Sequence, residues 1–224
     1  MVALRIREAQ DAGGTVRCVG GIMQITIALH NYYGVYGCYP PAYVLGPDGT
    51  RLHSWRVLIL PYFGEDGAGL YSKYDFSEPW NGPANRRLAL LRPSAFGCPI
   101  DAESAALGET NYVVVGGAGT MFDGTNSTRE ADLVDGTSYT LMVVEVSRAG
   151  INWMEPRDLE LSTFRIGSPG SNSISSAHRG GAAVAFADGR SRFLPKTADV
   201  ADVRALLRIR DPGKEAALQR TCPF

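Results

Sequence analysis

Ala182-Ala-Val-Ala-Phe-Ala-Asp-Gly-Arg-Ser-Arg-Phe-Leu194 is the stretch on which the fold turns. Two short alternating runs flank Asp188-Gly189. A period of two is the mark of a strand with unlike faces. Asp-Gly between the runs predicts a two-residue type I′ turn, which needs φ > 0 at both central positions. The segment is therefore an antiparallel hairpin, and further strands are expected upstream at Tyr112–Val115 and Tyr139–Val146. Helical periodicity lies at the chain's two ends. Val16, Val19, Met23, Thr26, His30 and Tyr33 recur at three- and four-residue steps, one stripe of a helix within residues 1–36. Gly13-Gly14 and Gly20-Gly21 should weaken it, and Gly37 with Pro40-Pro41 should stop it. Asp199–Arg210 reads as a second amphipathic helix. Helices and strands are segregated along the chain, which indicates α+β rather than α/β.

The region between is rich in loops. Leu45-Gly-Pro-Asp-Gly-Thr50 is a turn. His53–Tyr74 reads as two short helices broken by Pro61 and the glycines of 64–69, Phe76–Asn85 as a proline- and tryptophan-rich loop, and Arg86–Leu91 as another short helix. With 26 Gly and 13 Pro in 224 residues, short elements and many turns are expected. The chain divides into an N-terminal helix (1–36), a head (37–210) that forms one domain with it, and a tail (211–224) expected to fray.

Composition excludes some functions. Twenty-two basic against 23 acidic residues give a net charge of −1. Nucleic-acid binding draws most of its affinity from phosphate neutralisation, so no nucleic-acid partner is expected. The longest run without a charged residue, Cys18–Pro47, holds Gln24, His30, Asn31 and two prolines. That is too polar and broken for a membrane span.

Motifs for catalysis fail one by one. Gly116-Gly-Ala-Gly119 leads to Phe122 where a dinucleotide fingerprint needs glycine. No GxSxG, HExxH or CxxC occurs. Four cysteines, at 18, 38, 98 and 222, permit three pairings of two disulfides. A divalent cation such as calcium could be assembled from Glu145, Asp158, His178 and Asp188, carboxylates with one imidazole. Against this, Asp188 serves the turn, His178 can bond backbone carbonyls, and Glu145 can pair with Arg148 or Arg157. Trp80 and Trp153 are either a surface for a carbohydrate or a partner, or part of the core.

Several stretches carry a family resemblance. His178, nine residues, then Asp188-Gly189 resembles the H-X9-DG signature of the planctomycete DUF1559 family of prepilin-like proteins. Cys18 through Leu29-His-Asn-Tyr32, Tyr36-Gly-Cys-Tyr-Pro-Pro-Ala-Tyr43, His53-Ser-Trp-Arg-Val-Leu-Ile-Leu-Pro-Tyr62, Tyr74–Trp80, Thr110–Tyr112, Asp135–Ser138 and Trp153-Met-Glu-Pro-Arg-Asp158 also resemble family stretches. The resemblance implies a pilin-like fold, an N-terminal helix packed on an antiparallel β-sheet. It implies a non-enzymatic pseudopilin-like subunit of a type II secretion or surface-filament system in the cell envelope, with other pilin-like or envelope proteins as partners. The alternative is an exported carbohydrate-binding module working through its aromatic loops. The resemblance also suggests a Cys18–Cys98 disulfide. Met1–Ala9 resembles the segment just after the family's membrane part, so full-length relatives would be anchored and this chain would make no membrane contact.

Overall fold

The computed structural model describes residues 2–221, with side chains described from Cys18 onward. The elements run α1 (Val2–Tyr36), β1 (Tyr43–Leu45), β2 (Arg51–Ser54), α2 (Trp55–Leu58), α3 (Gly64–Lys73), α4 (Ala102–Ala106), β3 (Tyr112–Val113), β4 (Val115–Gly116), β5 (Leu141–Glu145), β6 (Leu159–Glu160), β7 (Arg165–Ile166), β8 (Ser173–Ile174), β9 (Gly181–Phe186), β10 (Ser191–Pro195), α5 (Val200–Leu207) and α6 (Lys214–Thr221). The architecture is α+β. Its main sheet is antiparallel throughout, in the order β10-β9-β5-β3. Three two-stranded ladders decorate it, β1 with β2 antiparallel, β4 with β6 and β7 with β8 parallel.

The sheet separates two cores, and the alternation in β9 explains why. Ala183, Ala185 and Ala187 join Ile22, Ile25, Ala28 and Leu29 of α1 in one cluster. Val184 and Phe186 join Val203, Leu206 and Leu207 of α5 and Leu218 of α6 in the other. Small side chains thus line the face that receives α1, and large ones fill the opposite face. Gly21 serves the same close approach, because a β-carbon there would lie 3.0 Å from the Ala95 carbonyl oxygen. The helix runs without a break through Gly13-Gly14 and Gly20-Gly21. Tertiary packing outweighs the cost of about 1 kcal/mol that each glycine carries in a helix. Among the described residues no helix is long and apolar enough to cross a membrane.

Two expectations are corrected here. The hairpin loop has three residues, Ala187–Gly189, because Phe186 pairs with Arg190 and the Gly189 N–H donates to the Phe186 carbonyl at 3.0 Å. Only Gly189 takes a positive φ, +89°, while Asp188 does not. This is a type I turn followed by a glycine bulge rather than type I′. Within the tail, the described residues 211–221 are also ordered. Lys214–Thr221 forms α6 against α5, and Lys214 is buried with its Nζ donating to Thr140 Oγ1 at 2.8 Å, 3.7 Å from Asp135. Cys222 lies outside the described residues.

Overfilling the small-residue face should be costly. Ala185→Leu is expected to lose about 1–3 kcal/mol in a urea melt, since Ala185 is fully buried beneath α1. Lys214 gives a pH test. Burial holds its pKa down at about 8, against the partial support of Asp135 and Asp211. Between pH 8 and about 10 the unfolded chain therefore binds the extra proton, and stability rises with pH across that window. Lys214→Met should remove this rise, read as the difference between the two proteins' Tm-against-pH curves.

Candidate metal centre

Four distant residues meet where α1 crosses the sheet. Cys18 comes from α1, Cys98 from the loop before α4, Glu145 from the end of β5, and His178 from the loop before β9. All four are buried, and their donor atoms lie within 4.8 Å of one another. His178 Nε2 is 3.1 Å from Cys18 Sγ and 3.5 Å from Cys98 Sγ.

A strand irregularity aims Glu145 into this cluster. Register shifts between Leu141 and Val143, which pair with Phe186 and Ala185. The extra residue puts both Met142 and Val143 into the core on the α1 side, with Leu141 and Val144 opposite. Strict alternation from Leu141 would have turned Glu145 to the α5 face. The bulge reverses the parity and directs it at α1. One Glu145 oxygen accepts from Ser176 Oγ at 2.7 Å and the other from the Ala183 N–H at 2.8 Å. Burial raises the carboxyl's pKa, and these two hydrogen bonds pull it back only in part.

Each cysteine is held through its backbone. Tyr112 Oη donates to the Cys18 carbonyl at 2.8 Å. Asn111 Oδ1 accepts from the Cys98 N–H at 2.8 Å, and also from Arg92 Nη1 at 3.2 Å. Asn111 Nδ2 in turn donates to Asp101 Oδ2 and to the Val146 carbonyl. Hydrogen bonding with Cys18, together with burial, pushes the Cys98 thiol far above its usual range. Both thiols are free, so the Cys18–Cys98 pairing is present as a contact rather than a bond. Cys98 also lines a cleft of about 530 Å³ with Gly20, Gly21, Gln24 and Arg92.

The ligand set expected from the sequence divides. Glu145 and His178 are brought together, and the two cysteines complete the group. Asp158 and Asp188 are placed elsewhere. Asp188 sits at the exposed hairpin turn, its Oδ1 accepting from the Arg190 N–H and its Oδ2 paired with Arg190 Nε at 2.7 Å. Asp158 is almost wholly buried, 2.6 Å from Arg56 Nη1. Its Oδ1 also accepts from Trp55 Nε1 and the Val114 N–H, both at 3.1 Å. Arg56, fully buried, uses its remaining donors on the carbonyls of Trp153, Glu155 and Arg157. Trp153-Met-Glu-Pro-Arg-Asp158 is thus a loop tied to a buried guanidinium. Trp153 itself has no exposed surface; it stacks on Phe96 and donates to the Leu88 carbonyl, so it offers no face to a ligand. Trp80 is half-buried against the same core. The donors at the cluster, two sulfurs with one nitrogen and one oxygen, suit a borderline or soft divalent ion and not calcium.

Residues 15–126 match the family described as "Protein of unknown function (DUF1559)". The chain belongs to the DUF1559 family. The match takes in Cys18 and Cys98 of the cluster, while Glu145 and His178 lie beyond it. No curated protein and no solved structure matches the chain. In this DUF1559 chain, the residues missed by sequence reasoning are Asn111, Asp101 and Arg56. Each is a polar or charged residue set beside apolar or aromatic ones, Asn111 before Tyr112, Asp101 after Pro99-Ile100 and Arg56 after Trp55.

The two aspartates should separate cleanly in stability. Asp158→Ala leaves a buried charged Arg56 without its counter-ion and is expected to cost about 3–5 kcal/mol. Asp188→Ala, at an exposed pair, should cost less than about 1 kcal/mol. Urea melts of the two variants make the comparison.

Proposed function

We propose that this chain is a non-enzymatic, pilin-like structural subunit of a cell-envelope secretion or surface-filament system. The observation that carries this reading is the 35-residue α1, seated by Cys18–Leu29 on a four-stranded antiparallel sheet. A long N-terminal helix packed on an antiparallel sheet is the form such subunits take by resemblance. Membership of the DUF1559 family is consistent with it. Arg56, Asn85 and Asn111 each bond several backbone groups and so hold loops in place. The partner is another copy or a similar pilin-like protein, packed along the outer side of α1. That side exposes Met23 and Ile27, one turn apart. Apolar residues exposed in line on a helix are a seam for a second helix.

The test is site-specific photocrosslinking in the cell of origin, with the crosslinker at position 23 or 27. Chain-to-chain or chain-to-pilin adducts in the envelope fraction are expected. With the crosslinker at position 27, Met23→Glu should sharply reduce them without lowering Tm, since Met23 is exposed. A chain that stays uncrosslinked and monomeric in that fraction would sink the reading.

A further inference from the structure

We infer that Cys18, Cys98, Glu145 and His178 form a closed structural zinc(II) site that fastens α1 to the sheet. This goes beyond the subunit reading and stands or falls apart from it. The donor types are those of structural zinc, with thiolate sulfur, imidazole nitrogen and carboxylate oxygen. Zinc–sulfur bonds of about 2.3 Å and zinc–nitrogen bonds of about 2.0–2.1 Å set tetrahedral S···N edges of about 3.5 Å. His178 Nε2 stands 3.5 Å from one sulfur and 3.1 Å from the other, close to those edges without any ion to impose them.

The surroundings point the same way. A disulfide between Cys18 and Cys98 would satisfy two sulfurs, but it gives no reason for an imidazole against both of them. Nor does it explain a fully buried carboxylate, aimed inward by a bulge, within 4.8 Å. A divalent ion accounts for all four groups at once, because it turns costly buried polar atoms into ligands. The outer contacts are also those of a metal site: Ser176 and the Ala183 N–H orient Glu145, and Asn111 fixes the Cys98 backbone. Two thiolates, one carboxylate and zinc sum to −1 with a neutral histidine. The guanidinium of Arg92, bonded to the same Asn111, lies on the side to offset that charge. On binding, the two thiol protons pass to solvent; nothing is oxidised. With four protein ligands there is no open coordination position, so the ion's work is mechanical rather than hydrolytic. The cleft that Cys98 lines gives it a route in.

The full chain, purified with a non-thiol reductant and no chelator, should contain one zinc per molecule by elemental analysis. After chelator extraction, cobalt(II) should produce the intense visible bands of a tetrahedral thiolate site, and zinc should abolish them. Zinc at about 100 to 1,000 times its Kd should raise Tm by about 5–15 °C. Cys18→Ser and Cys98→Ser should lose the bands, Glu145→Gln and His178→Ala should weaken zinc binding by more than about tenfold, and Cys38→Ser should change neither. Circular dichroism of each variant separates a lost ligand from a lost fold, and the cobalt spectrum of the unaltered chain needs no variant at all. A reduced, folded chain that takes up neither zinc nor cobalt overturns the site. So does a Cys18–Cys98 disulfide whose reduction restores no binding, or metal uptake that persists in the double cysteine variant.

Discussion

Everything in this molecule depends on how closely one long helix can lie on one sheet. α1 has no amphipathic pattern strong enough to find a partner surface by itself, and its glycines lower its intrinsic stability. The sheet compensates by presenting alanines. Ala183, Ala185 and Ala187 leave a shallow trough along β9, and Ile22, Ile25, Ala28 and Leu29 fill it. Gly21 lets the helix backbone approach Ala95 where any side chain would be resisted. The same strand turns Val184 and Phe186 to α5 and α6. One six-residue strand therefore presents small side chains to α1 and large ones to α5 and α6.

The loop-rich middle is rigid for a different reason. It has few ladder hydrogen bonds, so its backbone polar groups need other partners once buried. Buried side chains supply them. Arg56 satisfies three carbonyls of residues 153–157 while its charge is met by Asp158. Asn85 bonds to the Asp75 N–H and to the carbonyls of Asp75 and Pro79, closing the loop that carries Trp80. Asn111 ties Cys98, Asp101 and Val146 together. Such side chains act as substitutes for secondary structure. Their loss is expensive because each leaves several buried groups unpaired at once.

How much of this could be read beforehand follows from the range of the interactions. The hairpin, α5 and the strands near 112 and 141 are written in local periodicity and fall within a few residues of their expected places. α1 is also where expected, but it packs on Ile22, Ile25 and Leu29 rather than on the Val16–Tyr33 stripe, whose Met23 is exposed. Asp-Gly does not by itself fix the turn type, because it is equally at home in a three-residue loop, where only the glycine needs positive φ. The order in α6 is not legible locally, because it depends on distant contacts of Lys214 with Thr140 and Asp135. Glu145 and His178 could be chosen by residue type, but Asp158 and Asp188 satisfied the same criterion and ended elsewhere. What selects between them is a one-residue bulge at Leu141–Val143, and no periodicity marks it in advance.

That bulge also explains why the cluster sits where it does. Residues 18, 98, 145 and 178 belong to the helix, the loop-rich middle, the central strand and the lead-in to the hairpin, and nothing but the completed fold brings them together. A polar group at such a junction is most costly to bury and most useful if satisfied, because it reports on every part at once. The alanine trough draws Cys18 down to the sheet, Asn111 fixes Cys98, and the bulge turns Glu145 to meet them. Each of these devices costs stability taken alone: small side chains forgo apolar burial, a buried amide must find every partner, and a bulge interrupts the ladder. They make physical sense together, as the means of holding four ligating side chains within one ion's reach at the point where the helix joins the head.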